Sequence, residues 1–484
     1  MNGPIRRVSL GIYLLFLVLL GSVTWIQVLS ADTYRDHPRN VRTNLNQTFK
    51  ERGLIVTSDG VVLARSVADE EDSRRFTRTY PEGEVFANLT GYASLFGEST
   101  GAEAAFDGEL RSRQDATFSD MIAALLGRDL RPHSVQLTVD ANVQRVAYES
   151  LGSQHGAVVV LQPDTGNIIA AASTPSYDPN SLIGVENETV YDELLADPDN
   201  PLLDRATREN FPPGSTFKPI VAAAAIDAGV AEPDTTFPDP QEFDLPGTDA
   251  TIGNFGDGVC ADGDSITLRQ AMIVSCNTVF ADLAIQTGAE TIGLVAEPMG
   301  FNDSFSIPWQ TAESNFPIEA LEEDDAALGQ SGIGERNVRA TPLQMAVVAA
   351  TIANDGEMVA PGVLRQLTDA DGETITERQV PAPERTMSPE TADILTDMME
   401  QVITAGSGQQ AAIPGIRVAG KTGTATGVED RPSVWFIAFA PVEDPTHAIA
   451  VLVEEGGEVG EGATGGNVAA PIAARVLEEA LAGN

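Results

Sequence analysis

Arg208-Glu-Asn-Phe-Pro-Pro-Gly-Ser-Thr-Phe-Lys-Pro219 is the stretch on which the reading of this chain turns. Pro212, Pro213 and Gly214 make a turn that delivers Ser215 to the first turn of a helix, and Lys218 follows three residues later. Residues i and i+3 share a helix face, so a hydroxyl and an amine at this spacing can meet. A serine is a weak nucleophile at its own pKa, and a neighbouring base that takes its proton activates it without a histidine. The pattern is short, and the same residues also suit a helix N-cap followed by a solvated lysine.

The lysine inventory bears on that choice. Of 29 Lys+Arg residues only Lys50, Lys218 and Lys421 are lysine. A guanidinium stays charged in a protein, whereas a buried ammonium can lose its proton and act as a base. Either lysine is kept where arginine would fail, or a bias toward arginine has left three chance survivors.

At 484 residues the chain has room for two or three domains, and 42% hydrophobic content supports ordinary cores. A formal net charge of -42 argues against nucleic acid as a partner, since phosphates need a basic face. Most of the carboxylates read as a solvated, self-repelling surface. An anionic substrate would have to be drawn by a few local cations.

Residues 8–29 form an uninterrupted uncharged run. At about 1.5 Å per residue it crosses a hydrocarbon core of roughly 30 Å. Arg6 and Arg7 before it and Asp32 after it place the N-terminus in the cytoplasm and the remainder outside. A cleaved signal peptide is the alternative, but its apolar region is normally shorter, and Leu29-Ser30-Ala31 is a poor cleavage site. The segments are then a cytoplasmic N-terminus (1–7), a single transmembrane helix (8–30), an elongated β-rich scaffold domain (31–134) and a C-terminal domain (135–484).

Within the scaffold, residues 52–64 read as a hairpin turning at Asp59-Gly60, and 70–75 as a charged loop. After it come a strand over 135–139, a helix over 141–151 capped by Asp140, and an apolar hairpin over 157–172. Helices follow over 220–228, 267–287 and 341–353, then strands over 416–424, 435–440 and 447–453, and a closing helix over 468–482. This order predicts an α+β fold with an antiparallel sheet flanked by helices.

Two further short motifs follow Ser215. Ser275-Cys276-Asn277 lies within or at the edge of the 271–280 helical stretch, and Lys421-Thr422-Gly423 lies in a strand. Each alone is weak; the ordered set Ser-x-x-Lys, Ser-x-Asn, Lys-Thr-Gly is strong, and it is a known combination in serine β-lactamase-like enzymes. With Arg52-Gly53-Leu54-Ile55, Gly101-Ala102-Glu103, Pro163-Asp-Thr-Gly166, Thr341-Pro-Leu-Gln-Met345 and Ala353-Asn-Asp-Gly356, the chain resembles the class B penicillin-binding proteins over nearly its whole length, nearest to the actinobacterial penicillin-binding protein A group.

That resemblance implies a membrane-anchored peptidoglycan D,D-transpeptidase that cross-links stem peptides in cell-wall synthesis and is acylated by β-lactams. It implies that Ser215 forms the acyl-enzyme, Lys218 takes its proton, Ser275 relays a proton to the leaving amine, and Asn277 holds Lys218 and the substrate amide. Lys421, Thr422, Gly423 and Thr424 would bind the terminal carboxylate, and the backbone N–H groups of Ser215 and Thr424 would form the oxyanion hole. A membrane glycosyltransferase of the shape, elongation, division and sporulation class is the implied partner, with division or elongation left open.

The competing readings are a hydrolase of the same fold, meaning a D,D-carboxypeptidase or β-lactamase, and a non-catalytic β-lactam sensor or division scaffold. No Glu-x-x-Leu-Asn run follows Asn277 to supply a deacylating base, and all three motifs are intact. Histidine is scarce, and His155 and His447 border apolar strands, where a structural role fits best. No residue cluster has metal-ligand spacing and no glycine-rich phosphate loop occurs, so neither metal nor cofactor is expected. Cys260 and Cys276 could form a disulfide outside the membrane, closing a loop stabilised by about 3 kcal/mol, or could be one buried and one idle thiol.

Overall fold

The uncharged N-terminal run forms helix α1 (Asn2–Thr24) in the computed structural model. Its Gly3–Thr24 portion, 22 residues with mean hydropathy 1.9, is long and apolar enough to cross a membrane and is not buried among the described residues. The structure describes all residues except 1, 27–29, 31–49, 71, 73–74, 95–98, 112–130, 184–187, 257, 262, 427–430 and 484. The last residues of the apolar run, 27–29, and part of the charged loop at 70–75 therefore lie outside the described residues.

The hairpin at Asp59-Gly60 forms from β1 (Ile55–Val56) and β2 (Val62–Ala68), with β3 (Phe76–Thr79) beside it. The sheet does not stop at the expected boundary near residue 135. It takes in β4 (Ser134–Leu137), parallel to β1, and two strands from far downstream, Leu364–Thr368 and Thr374–Glu377. Scaffold and C-terminal domain thus share one six-stranded sheet.

Three separate scaffold segments converge on one buried carboxylate. Glu103 Oε2 accepts from Arg52 Nη2 at 2.7 Å, and Oε1 accepts from Arg78 Nε at 2.5 Å. Burial alone would raise the Glu103 carboxyl, but Arg78 and then Arg52 outweigh it and its pKa is lowered. The resemblance motifs at 52–55 and 101–103 are therefore two halves of one ion network.

Asp140 caps α2 (Ala141–Leu151), its carboxylate accepting from the N–H groups of Asn142 and Val143. The central sheet then begins with β5 (Gly156–Leu161) and β6 (Ile168–Thr174) and ends with three strands near the C-terminus, all antiparallel. Numbering the downstream strands in order, Leu364–Thr368 is β7, Thr374–Glu377 is β8, and β9 (Ala419–Ala425), β10 (Ser433–Ala440) and β11 (His447–Val453) complete the central sheet, ordered β9-β10-β11-β5-β6.

Side chains alternate across this sheet, and both faces are covered. Val434, Phe436 and Ala438 share a core with α2 and the last helix (Ala470–Ala482), whereas Trp435, Ile437 and Phe439 belong to a second core with the inner helices. Lys421 pairs directly with Ile437, so it faces that second core.

Candidate active site

Gly214–Phe217 is a 3-10 turn running straight into the inner helix Lys218–Asp227. The turn lies against β9 so closely that it needs glycine on both sides. Gly214 has φ +54°, and a Cβ there would stand 2.7 Å from the Thr424 carbonyl oxygen; a Cβ on Gly423 would stand 2.8 Å from that of Pro213. Trp435 Nε1 donates to the Pro212 carbonyl at 2.9 Å, and Phe217 packs between Phe301 and Phe316. The part-exposed Ser215 is thereby held at the edge of the Lys421 strand by the packing of its neighbours in the turn.

The helical stretch expected over 267–287 is in fact two helices, Leu268–Val274 and Asn277–Thr287. Ser275 sits between them in the left-handed region, φ +64°. A non-glycine residue there costs of order 1 kcal/mol or more, and the break is what turns the Ser275 hydroxyl toward the lysines. Asn254, which the sequence did not single out, caps the second helix: its Oδ1 accepts from Asn277 N at 3.0 Å and Thr278 N at 3.1 Å. Asn277 Nδ2 donates to the Gly253 carbonyl at 3.0 Å, which leaves its Oδ1 aimed at Lys218.

Cys260 and Cys276 are joined in a disulfide that ties this break to the preceding loop. The Asp239 carboxylate fastens the same loop by accepting from the N–H groups of Cys260 and Ala261. Asp239, Cys260 and Cys276 also have the spacing of a metal site, but sulfurs bonded to one another offer no thiolate ligand.

Lys218 and Lys421 are both 0% exposed. Lys218 Nζ donates to the Ser275 carbonyl at 2.7 Å, Asn277 Oδ1 at 2.8 Å and Ser275 Oγ at 3.3 Å, and lies 5.3 Å from the Phe280 ring centre. Lys421 Nζ donates to Ser275 Oγ at 2.8 Å and to the Thr422 carbonyl at 2.9 Å. Among the described residues no carboxylate bonds to either amine. Burial, and then the neighbouring Lys421, hold Lys218 well below the usual lysine range; burial brings Lys421 down to about 7. Ser215 Oγ takes no hydrogen bond among the described residues, so the Ser215–Lys218 contact expected from the i, i+3 spacing is not made in this state.

The structure gathers Ser215, Lys218, Ser275, Asn277 and Lys421 into one cluster. Thr422 is placed differently from Lys421: by strand alternation it faces the other side of β9, where its hydroxyl bonds Ser407 Oγ at 2.6 Å. Thr424 remains on the cleft rim with Asn277, Phe255 and Glu335. Glu335 also escaped the sequence reading. Its carboxylate accepts from Thr426 N at 2.8 Å, and the preceding Gly334 carbonyl accepts from Gly214 N at 3.0 Å. Nothing in the local sequence marks Asn254, Ser407 or Glu335, because each acts through a partner remote in the chain.

The chain matches known proteins over both of its halves. The family described as penicillin binding protein transpeptidase domain matches residues 156–478, and the penicillin binding protein A dimerisation domain matches residues 52–135. The chain is 42% identical to the peptidoglycan D,D-transpeptidase PbpA of Mycolicibacterium smegmatis, over 99% of both chains. It is 40% identical to PbpA of Mycobacterium tuberculosis over 100% of both. The solved structure of M. tuberculosis penicillin-binding protein A as a ceftriaxone acyl-enzyme superimposes with TM-score 0.83 at 39% identity, covering 90% of this chain and 100% of that one. Motifs, cluster geometry and matches over both halves place the chain in the penicillin-binding protein transpeptidase family.

Proposed function

We propose that this protein is a peptidoglycan D,D-transpeptidase working through a Ser215 acyl-enzyme, and that β-lactams acylate the same serine. The observation that carries the residue assignment is the placement of Ser275 Oγ within hydrogen-bond reach of two buried lysines of lowered pKa, beside the nucleophile turn. Lys218, neutral when the reaction starts, takes the Ser215 proton as Oγ bonds to the penultimate D-alanine carbonyl. The oxyanion is met by the backbone N–H groups of Ser215 and Thr424, a contribution of about 3 kcal/mol per donor.

Lys421 and the Thr424 rim hold the terminal carboxylate, the local cation that a chain of net charge -42 otherwise lacks. The proton passes through Ser275 to the leaving amine, the C–N bond breaks and D-alanine departs. An amine of a second stem peptide then attacks the ester, forms the cross-link and returns the proton to Ser215. Helix α1 anchors the chain in the cytoplasmic membrane with its catalytic domain outside, where a membrane glycosyltransferase of the shape, elongation, division and sporulation class supplies glycan strands.

The test is labelling of the full-length protein in detergent with a fluorescent penicillin, beside Ser215→Ala. A label that persists for many minutes and is absent from the variant is expected. Rapid loss of label would instead mark a β-lactamase, and no label at all would overturn the assignment.

A further inference from the structure

Where the scaffold meets the C-terminal domain there is a cavity of about 620 Å³, away from the serine cleft. Tyr92 and Tyr177 meet edge to face in its wall, with ring centres 6.1 Å apart, and Tyr191 and Trp309 complete an aromatic lining. Tyr92 and Tyr177 are buried, Tyr191 is 40% exposed and Trp309 is part-exposed. Two charged groups border the rings. Asp204 is fixed, its carboxylate accepting from Ala206 N, Thr207 N and the Thr207 hydroxyl. Arg208 is exposed, its guanidinium forms no hydrogen bond or ion pair among the described residues, and its charge acts on the neighbouring Asp204 carboxylate.

Aromatic walls with a few fixed polar groups, at a domain junction and within roughly 300–1,000 Å³, describe a small-molecule site. Tyrosine and tryptophan offer apolar faces for the C–H faces of sugar rings and polar edges for hydroxyl and acetamido groups. An unpaired guanidinium is suited to a carboxylate. Aromatic faces beside such a cation fit an acidic glycopeptide better than a lipid tail, which would offer the Arg208 guanidinium no partner.

We propose that this cavity is a glycan subsite, in which N-acetylated hexosamine rings pack on Tyr191 and Trp309 while Arg208 takes a carboxylate of the attached stem peptide. This rests on the transpeptidase reading for its choice of substrate class. Arg208 and Ser215 are seven residues apart, so their Cα atoms are separated by at most about 25 Å. An extended stem pentapeptide spans about 17 Å, the same order of length. One substrate strand can therefore engage the cavity through its sugar and the serine cleft through its peptide.

The test uses full-length protein in detergent, first acylated with penicillin so that the serine cleft is blocked. Calorimetric titration is run with chitotetraose and with a disaccharide-peptide released from peptidoglycan by a muramidase. Both should bind saturably. Tyr191→Ala and Trp309→Ala should each weaken both ligands by roughly tenfold or more. Arg208→Gln should weaken only the disaccharide-peptide. Penicillin labelling unchanged in all three variants would show the fold and the serine site intact, separating this result from any failure of the catalytic reading. Absence of chitotetraose binding, or binding indifferent to Tyr191→Ala and Trp309→Ala, would overturn the proposal.

Discussion

Lys421 Nζ reaches Ser275 Oγ at 2.8 Å across 146 positions of sequence, and Lys218 Nζ approaches the same oxygen at 3.3 Å. One hydroxyl therefore stands between two buried amines that cannot both be comfortably charged. A proton on one amine disfavours a proton on the other. The reaction asks opposite things of the two: Lys218 must be neutral to accept a proton, and Lys421 must be charged to attract a carboxylate.

This predicts a bell-shaped pH dependence for the second-order rate of penicillin acylation. Lys218 has a lowered pKa, so the rate rises with pH as that amine loses its proton. Lys421 in the free enzyme titrates at about 7, so carboxylate capture weakens as pH rises beyond that value. A guanidinium stays charged, so Lys421→Arg should lose the alkaline limb, at a reduced maximum because the site is filled. Stopped-flow acylation over a pH series measures this, and an alkaline limb that survives the substitution would contradict the assignment of Lys421.

Asn254→Ala removes the cap of the helix that carries Asn277. The expected cost is about 1 kcal/mol of stability, together with slower acylation because Asn277 no longer holds Lys218 in place. Asn254→Asp keeps the acceptor but loses the Nδ2 donations to the Pro240 and Gly258 carbonyls, and should recover only part of the stability. Thermal unfolding and acylation rates on the same samples separate the two effects.

Gly334 has φ +76°, and a Cβ there would lie 2.0 Å from the Gly214 carbonyl oxygen. Gly334→Ala should push the nucleophile turn off β9 and slow acylation by more than roughly tenfold. The scaffold ion network is untouched by that change. Normal acylation in Gly334→Ala would show that the turn tolerates the displacement.

Glu103 is 0% exposed between Arg52 and Arg78. Glu103→Ala leaves the buried Arg78 guanidinium without its counter-ion and Arg52 with Asp107 alone, and a loss of about 3–5 kcal/mol is expected. The folded carboxyl has a lowered pKa, so its contribution is complete above the unfolded value of about 4.3 and disappears as pH falls through the folded one. Denaturant titrations should show an acid decline below about pH 4 that is smaller in Glu103→Ala than in the wild type.

The sequence by itself determined the order of parts: the apolar run of α1, the strands and helices of the central sheet, the Asp140 cap, and the three motifs with two of the three lysines inside them. These are local patterns, set by side-chain periodicity, turn residues and capping, and they are legible without a partner. Only the tertiary structure decided that Ser275 breaks a helix, that Thr422 turns to Ser407 across the sheet from Lys421, and that β7 and β8 join the scaffold sheet. The roles of Asn254, Glu335 and Glu103 likewise depend on partners that sequence spacing does not indicate. The Pro213 to Lys218 turn shows the division most clearly. Its residues specify a serine at the start of a helix, but Lys218 becomes a candidate base only when folding buries it beside Lys421, because desolvation and a second cation are what lower its pKa.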